Sequence, residues 1–231
     1  MKLQFFIAGT DTDVGKTLVA AGLLAAANAR GLSTVAVKPV AAGCKLTSEG
    51  LRNDDALLLQ QTMSMSLPYE QVNPVALEPA IAPHIAAERA GRRLQIAQLS
   101  GFCRGVLMKK ANLSVIEGAG GWRVPISQRE TMAGLAADLQ LPVILVVAMK
   151  LGCISHSLLT AEAIVRDGLK LAGWVANSPG SPMDGYEENL NTLKFLLPAP
   201  CLGELPFLDP ATPEAAASYL DIDRLINHGK Q

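Results

Sequence analysis

The chain has 231 residues, 49% of them hydrophobic and 18% charged, and a formal net charge of −1. That length and apolar content suffice for one large core or at most two small ones. The mixed, near-neutral charge excludes strong electrostatic attraction to nucleic acid or to an anionic membrane.

In chain order, residues 3–8 form an apolar run expected as a strand. They enter Gly9-Thr10-Asp11-Thr12-Asp13-Val14-Gly15-Lys16-Thr17, and an Ala/Leu-rich helical pattern over 18–30 follows, stopping at Gly31. Strand, Gly-bounded loop ending in Gly-Lys-Thr, then helix is the layout of a phosphate-cradling loop. Gly15 admits a phosphate close to the backbone, and the loop N–H groups with the helix N-terminus supply positive potential. Lys16 reaches the outer phosphates, and Thr17 offers a hydroxyl to Mg²⁺. The usual pattern places four residues between its glycines; here Gly9 and Gly15 bracket five, and Thr10 stands at the expected glycine position.

Residues 33–37 are a β-branched run that delivers Lys38, whose backbone the following Pro39 keeps out of the helical region. Residues 43–53 read as loop, and Asp54-Asp55 open a helix through Gln61. Capping by either acid competes there with metal binding. The proline-rich segment 64–83 lacks periodicity and is expected to cross the surface. Residues 93–110 return to helical spacing. Residues 113–117 are a strand ending in Glu117 and running into Gly118-Ala119-Gly120-Gly121, either a tight turn or a source of N–H groups for a phosphate or oxyanion. Helix is expected over 131–140, 155–167 and 187–197. Strands are expected over 142–149, which is too short to span a bilayer, and over 171–176 and 200–205. A Pro/Ala-rich tail ends the chain.

Alternating strands and helices predict an α/β fold, a single doubly wound and mainly parallel sheet with helices on both faces. No internal boundary stands out, so one domain over 1–231 is expected, with the tail from about residue 209 its least defined part. Ligands of such sheets sit beyond the carboxyl ends of the strands. The polar residues there are the phosphate loop, Lys38, Glu117 with its glycines, Lys150-Leu151-Gly152 and Asn177. Cys44, Cys103, Cys153 and Cys201 contain no Cys-x-x-Cys pair, and no extended signal region precedes the first strand. Reduced thiols in a cytoplasmic protein follow as the expectation.

These residues resemble the dethiobiotin synthetases. The phosphate loop is similar, as are Lys38-Pro39-Val40-Ala41, Gly50-Leu51-Arg52-Asn53-Asp54-Asp55-Ala56, Asn73-Pro74 and Pro83-His84. So are Glu117-Gly118-Ala119-Gly120-Gly121-Trp122, Lys150-Leu151-Gly152-Cys153-Ile154, Ala172-Gly173-Trp174-Val175-Ala176-Asn177 and Pro198-Ala199-Pro200. The surplus residue of the loop is itself a feature of that family.

The resemblance implies an ATP- and Mg²⁺-dependent ring closure of 7,8-diaminopelargonic acid with CO₂, through a carbamate and a carbamic–phosphoric anhydride. It gives Lys38, Lys16 and Thr12 catalytic roles and Thr17, Asp55 and Glu117 the Mg²⁺. It assigns the nucleotide to Asp13, Val14, Gly15, Lys16, Thr17, Asp55, Glu117, Gly118, Ala119 and Gly120, with Asn177, Pro206, Phe207 and Leu208 around the adenine. The diamine falls to Thr12, Lys38 and Gly118. Its distal carboxylate falls to Gly152, Cys153, Ile154 and Ser155 of a second subunit, since family members act as homodimers. The bland alternative is that Gly152 and Ser155 only end a strand and cap a helix. Three positions depart from the commonest pattern: Asp13 for glutamate, Ala42 for a substrate-contacting serine, and Ser155 for asparagine. The alternative from another class is a nucleotide switch resembling the chromosome-partitioning ATPases, but those carry a lysine where Asp11 stands here.

Overall fold

The structure, a computed structural model, describes residues 2–228. Met1 and residues 229–231, included in the expected domain 1–231, lie outside the described residues. The elements in order are β1 (Leu3–Gly9), α1 (Lys16–Asn28), β2 (Thr34–Val37), β3 (Val40–Ala41), β4 (Lys45–Thr47) and β5 (Gly50–Arg52). Next come α2 (Asp54–Thr62), α3 (Tyr69–Val72), β6 (Val75–Ala76), α4 (Pro83–Arg89), α5 (Ile96–Leu107) and β7 (Leu113–Gly121). The chain continues through α6 (Met132–Leu139), β8 (Val143–Ala148), α7 (Cys153–Arg166), β9 (Leu171–Asn177), α8 (Tyr186–Leu196) and β10 (Cys201–Leu205). Two short helices, α9 (Pro213–Ala217) and α10 (Ile222–His228), occupy the tail.

Six strands form one sheet in the order β10-β9-β8-β1-β7-β2, and every neighbouring pair in it is parallel. β8 is buried along its whole length, as a strand covered on both faces must be. α1 packs with α2, α9 and α10, and the pairs α5–α6 and α7–α8 pack together; with the right-handed crossovers that parallel strands take, the strand order puts these pairs on the face opposite α1. The chain leaves β1 for β2 in one direction and β7 for β8 in the other, so order reverses at β1, where the crevice of such a sheet opens.

Several local expectations change. Residues 43–53 contain an antiparallel hairpin, β4 with β5, rather than loop alone. Segment 64–83 does lie at the surface, with Ser64, Ser66, Pro68, Glu70, Gln71, Glu78 and Ala80 exposed, but it is anchored there. Met65 donates to the Thr34 carbonyl at 3.1 Å, the Lys38 N–H donates to the Val72 carbonyl at 2.8 Å, and Leu67, Tyr69, Val72, Asn73 and Val75 are buried. The segment thus covers the outer edge of β2, which would otherwise expose unpaired backbone groups. β7 also runs on to Gly121, which puts Glu117 inside a strand, paired across to Ile7, instead of at its solvated end.

Candidate functional site

The loop between β1 and α1 is tightly closed. Gly15, the N-cap of α1, has φ 91°, a left-handed conformation that only glycine adopts cheaply. A Cβ on Gly9 would lie 2.7 Å from a Val14 methyl and 3.0 Å from the Lys16 ammonium, so the loop folds directly over β1. Asp13 takes φ 55°, a left-handed kink in the loop that is uncommon for a residue other than glycine. The Lys16 ammonium turns back onto the Asp11 carbonyl at 3.0 Å. Burial pulls its pKa below the usual lysine value against the opposing pull of Glu117. The Asp11 carboxylate accepts the Thr12 N–H at 2.8 Å and faces Lys150 at 3.4 Å, which ties the loop to the chain leaving β8.

Lys38 and Asp55 converge on Glu117. The carboxylate of Glu117 has 0% exposure, and its Oε1 accepts the Lys38 ammonium at 2.6 Å and the Thr17 hydroxyl at 2.8 Å. The same ammonium meets Asp55 Oδ2 at 2.8 Å. Burial opposes the Lys38 charge, but the two carboxylates outweigh it and raise the pKa. Asp55 is held below the usual carboxylate range because Lys38, then Thr17, overcome its partial burial. Neither Asp54 nor Asp55 caps α2; the Asn53 side chain does so, accepting the Ala56 N–H at 3.2 Å. Asp55 is thereby free to pair with Lys38.

A cleft of about 890 Å³ brings together Thr12, Asp13, Gly15, Lys16, Thr17, Lys38, Asp55, Glu117, Ala119 and Gly120. Other expected site residues lie outside its lining. Val14 is a core side chain. Gly118 faces inward, where a Cβ would touch the Phe6 ring at 3.0 Å. Asn177 is buried behind the loop and donates to the Val14 carbonyl at 2.9 Å, and a Cβ on Gly15 would collide with it. Pro206, Phe207 and Leu208 follow β10, whose last residue, Leu205, pairs with Asn177 and accepts the Ser178 N–H at 2.9 Å. Gly152 is the N-cap of α7 at φ 94° without a side-chain cap, so Ser155 is not a cap, and Cys153, Ile154 and Ser155 form the first turn.

Sequence reasoning missed the apolar wall of the cleft, Val40, Leu58, Ile81, Val124 and Pro125. Ile81 sits in the aperiodic segment, so hydrophobic spacing carried no signal for it. These apolar side chains suit an aliphatic chain, and Lys16 and Lys38 in the same cleft suit phosphate or carboxylate.

The donor set at Glu117 also fits a hard divalent cation. Two carboxylates and a hydroxyl are oxygen ligands of the kind Mg²⁺ takes, with phosphate and water completing the shell. Glu117 Oε2 is buried without a hydrogen-bond partner, an acceptor that a cation would satisfy. No group of three or more His, Cys, Asp or Glu suited to a metal occurs among the described residues. No helix among them is long and apolar enough to cross a membrane.

A family model described as an AAA domain matches residues 3–215. Among solved structures, the chain is similar to a ParA family ATPase from Chlorobium tepidum, at TM-score 0.57 and 13% identity, covering 100% of this chain and 95% of that one. It is also similar to the Aquifex aeolicus MinC:MinD cell division complex, at TM-score 0.61 and 13% identity, covering 99% and 96%. At that identity these likenesses show the fold alone. The ATP-dependent dethiobiotin synthetase BioD of Cellvibrio japonicus is 58% identical over 226 residues, 98% of this chain and 99% of that protein. The protein of the same name from Marinobacter nauticus is 52% identical over 232 residues, again covering 98% and 99%. Full-length identity at this level, together with a phosphate loop beside Lys38, Asp55 and Glu117, means that the chain belongs to the ATP-dependent dethiobiotin synthetase family.

Proposed function

We propose that the chain closes the cyclic urea of dethiobiotin from 7,8-diaminopelargonic acid and CO₂ at the expense of ATP. The observation that carries this reading is the Lys38 ammonium, buried beside the phosphate loop and clamped by Asp55 and Glu117. One amine of the substrate takes up CO₂ as a carbamate and loses a proton. The carbamate oxygen attacks the γ-phosphorus, expelling ADP and forming a carbamic–phosphoric anhydride. The second amine attacks the activated carbonyl, closes the ring and expels phosphate.

A carbamate is a poor nucleophile towards a polyanion, so charge neutralisation and alignment set the rate. An ammonium has three N–H donors. Lys38 spends two on Glu117 and Asp55, and the third would serve the carbamate and transferring phosphate. Lys16 exchanges the Asp11 carbonyl for the outer phosphates, and Thr12 lines the region between. Thr17, Asp55 and Glu117 would hold Mg²⁺, which supplies further neutralisation of the phosphates. Asn177 and Pro206 to Leu208 would surround the adenine, next to Asp13 and Val14.

The homodimer belongs to the same proposal. The start of α7 in a second copy, Gly152 to Ser155, takes the distal carboxylate on its first-turn N–H groups, supported by the absence of a side-chain cap there. A cytoplasmic location and one domain over the full chain complete the reading. Incubation with the diamine, bicarbonate, ATP and Mg²⁺, with mass detection of dethiobiotin, tests it. ATP turnover without the cyclic urea would overturn it.

A further inference from the structure

The main sheet stops holding the chain one residue before Lys38. β2 pairs with β7 only as far as Val37 opposite Ile116, and Pro39 has no N–H with which to extend a ladder. Both backbone groups of Lys38 are held instead by segment 69–73. Its N–H donates to the Val72 carbonyl at 2.8 Å, and its carbonyl accepts from Asn73 Nδ2 at 2.7 Å. Asn73 Oδ1 in turn accepts the Tyr69 hydroxyl at 3.1 Å, and that hydroxyl accepts the Asn53 N–H at 2.8 Å. Asn53 is the residue that caps α2, the helix carrying Asp55. The Arg52 guanidinium lies 4.2 Å from the centre of the Tyr69 ring and covers the tyrosine. Asn53, Tyr69, Asn73 and Lys38 are all buried.

We infer that Tyr69 and Asn73 are positioning residues for the ring closure. Through three hydrogen bonds they lock the Lys38 backbone to Asn53, the cap of α2, and so fix the ammonium against Asp55 and Glu117. A side chain as long as lysine has several rotatable bonds, and only an anchored backbone delivers its tip to one place. The inference rests on the dethiobiotin-forming reading, because Lys38 matters to the chemistry only there.

Tyr69→Phe removes one oxygen and leaves the packing, so it is the cleanest test. Its kcat for dethiobiotin is expected to fall roughly tenfold, with the KM values for ATP and diamine within about twofold. Asn73→Ala is expected to fall at least as far, and the double variant no further than Asn73→Ala alone, since both break one chain of contacts. Leu169→Ala, a buried change in the turn that follows α7, serves as the stability control. It is expected to lower the melting temperature at least as much as Tyr69→Phe while keeping kcat. Amide hydrogen exchange at Lys38 reads the anchor without reference to product, and it is expected to speed up in Tyr69→Phe but not in Leu169→Ala. A Tyr69→Phe enzyme with unchanged kcat, or with unchanged exchange at Lys38, overturns the inference. A wild-type protein that forms no dethiobiotin overturns the functional reading instead, while the exchange result still decides whether Tyr69 anchors Lys38.

Discussion

The ammonium of Lys38 and the carboxylate of Glu117 meet at 2.6 Å in a place where Glu117 has no exposure. A buried ion pair broken on one side leaves the other charge uncompensated, at about 3–5 kcal/mol. Lys38→Ala is therefore expected to lose stability by about that amount as well as activity. Product formation should fall at least about a hundredfold, as for loss of a preorganised charge donor. Equilibrium binding should find ATP still bound. Adding Glu117→Gln to Lys38→Ala is expected to restore much of the melting temperature but none of the turnover; a double variant as unstable as the single would remove this account.

Gly15 is trapped by geometry on two sides. Its φ of 91° disfavours any Cβ, and a Cβ there would also collide with the Asn177 amide. Gly15→Ala is expected to cost about 1–2 kcal/mol for the backbone alone, with further loss from the collision, and to abolish ATP binding. Adding Asn177→Ala should recover only the collision. Urea unfolding of the single and double variants separates the two costs.

The acids at the cleft should show in the metal requirement. Excess EDTA is expected to stop dethiobiotin formation, and added Mg²⁺ to restore it. Asp55→Asn should raise the Mg²⁺ needed for half-maximal rate about tenfold, the worth of roughly 1.4 kcal/mol. A variant with the wild-type Mg²⁺ requirement would show that Asp55 serves Lys38 alone.

Away from the cleft, Asp167 accepts the Trp122 indole N–H at 2.8 Å and pairs with Arg123 at 2.7 Å. Burial works against its charge, but the hydrogen bonds from Arg123 and Trp122 outweigh it and lower the pKa below the ordinary 3.8. A carboxylate with a depressed folded pKa contributes stability above its unfolded value and loses it as pH falls through the folded one. Asp167→Asn is expected to cost about 1–2 kcal/mol near neutral pH, the pair being partly exposed. The gap to wild type should close below pH 3.8, measured by urea unfolding across the acid range.

Ala42 lines the cleft, at a position where the resemblance implies a substrate-contacting serine. Ala42→Ser is expected to lower the KM of the diamine severalfold, within the roughly tenfold worth of one charge-assisted hydrogen bond. An unchanged KM would show that the departing position makes no substrate contact here.

The strand–helix alternation was legible in the sequence because each element carries its own period, and strand ends told where the phosphate loop, Lys38 and Glu117 would gather. Segment 64–83 was not, for a physical reason. Its buried residues answer to the edge of β2 and to the Lys38 backbone, so no face of its own imposes a period. The hairpin of β4 and β5 has strands of three residues, and those of β4 are all exposed, which leaves no alternation to read. The cap of α2 was sought among the two acids, while Asn53 stood one residue earlier with the same capability. Glu117 reads from sequence as a strand end because glycines follow it, yet β7 runs on through them to Gly121.

The cover on β2 has a counterpart across the molecule. At the far edge, β10 is bridged by Leu220 opposite Gly203, and the Leu202 and Cys201 carbonyls accept from Asp221 and Arg224 at 2.7 and 3.1 Å. With both outer strands engaged by their own chain, the sheet has little room to recruit a strand from a neighbour. Two copies meeting as proposed above would do so away from these two edges, where side chains rather than backbone decide the fit. That is the kind of contact in which one subunit can lend the other a helix terminus without either losing its fold.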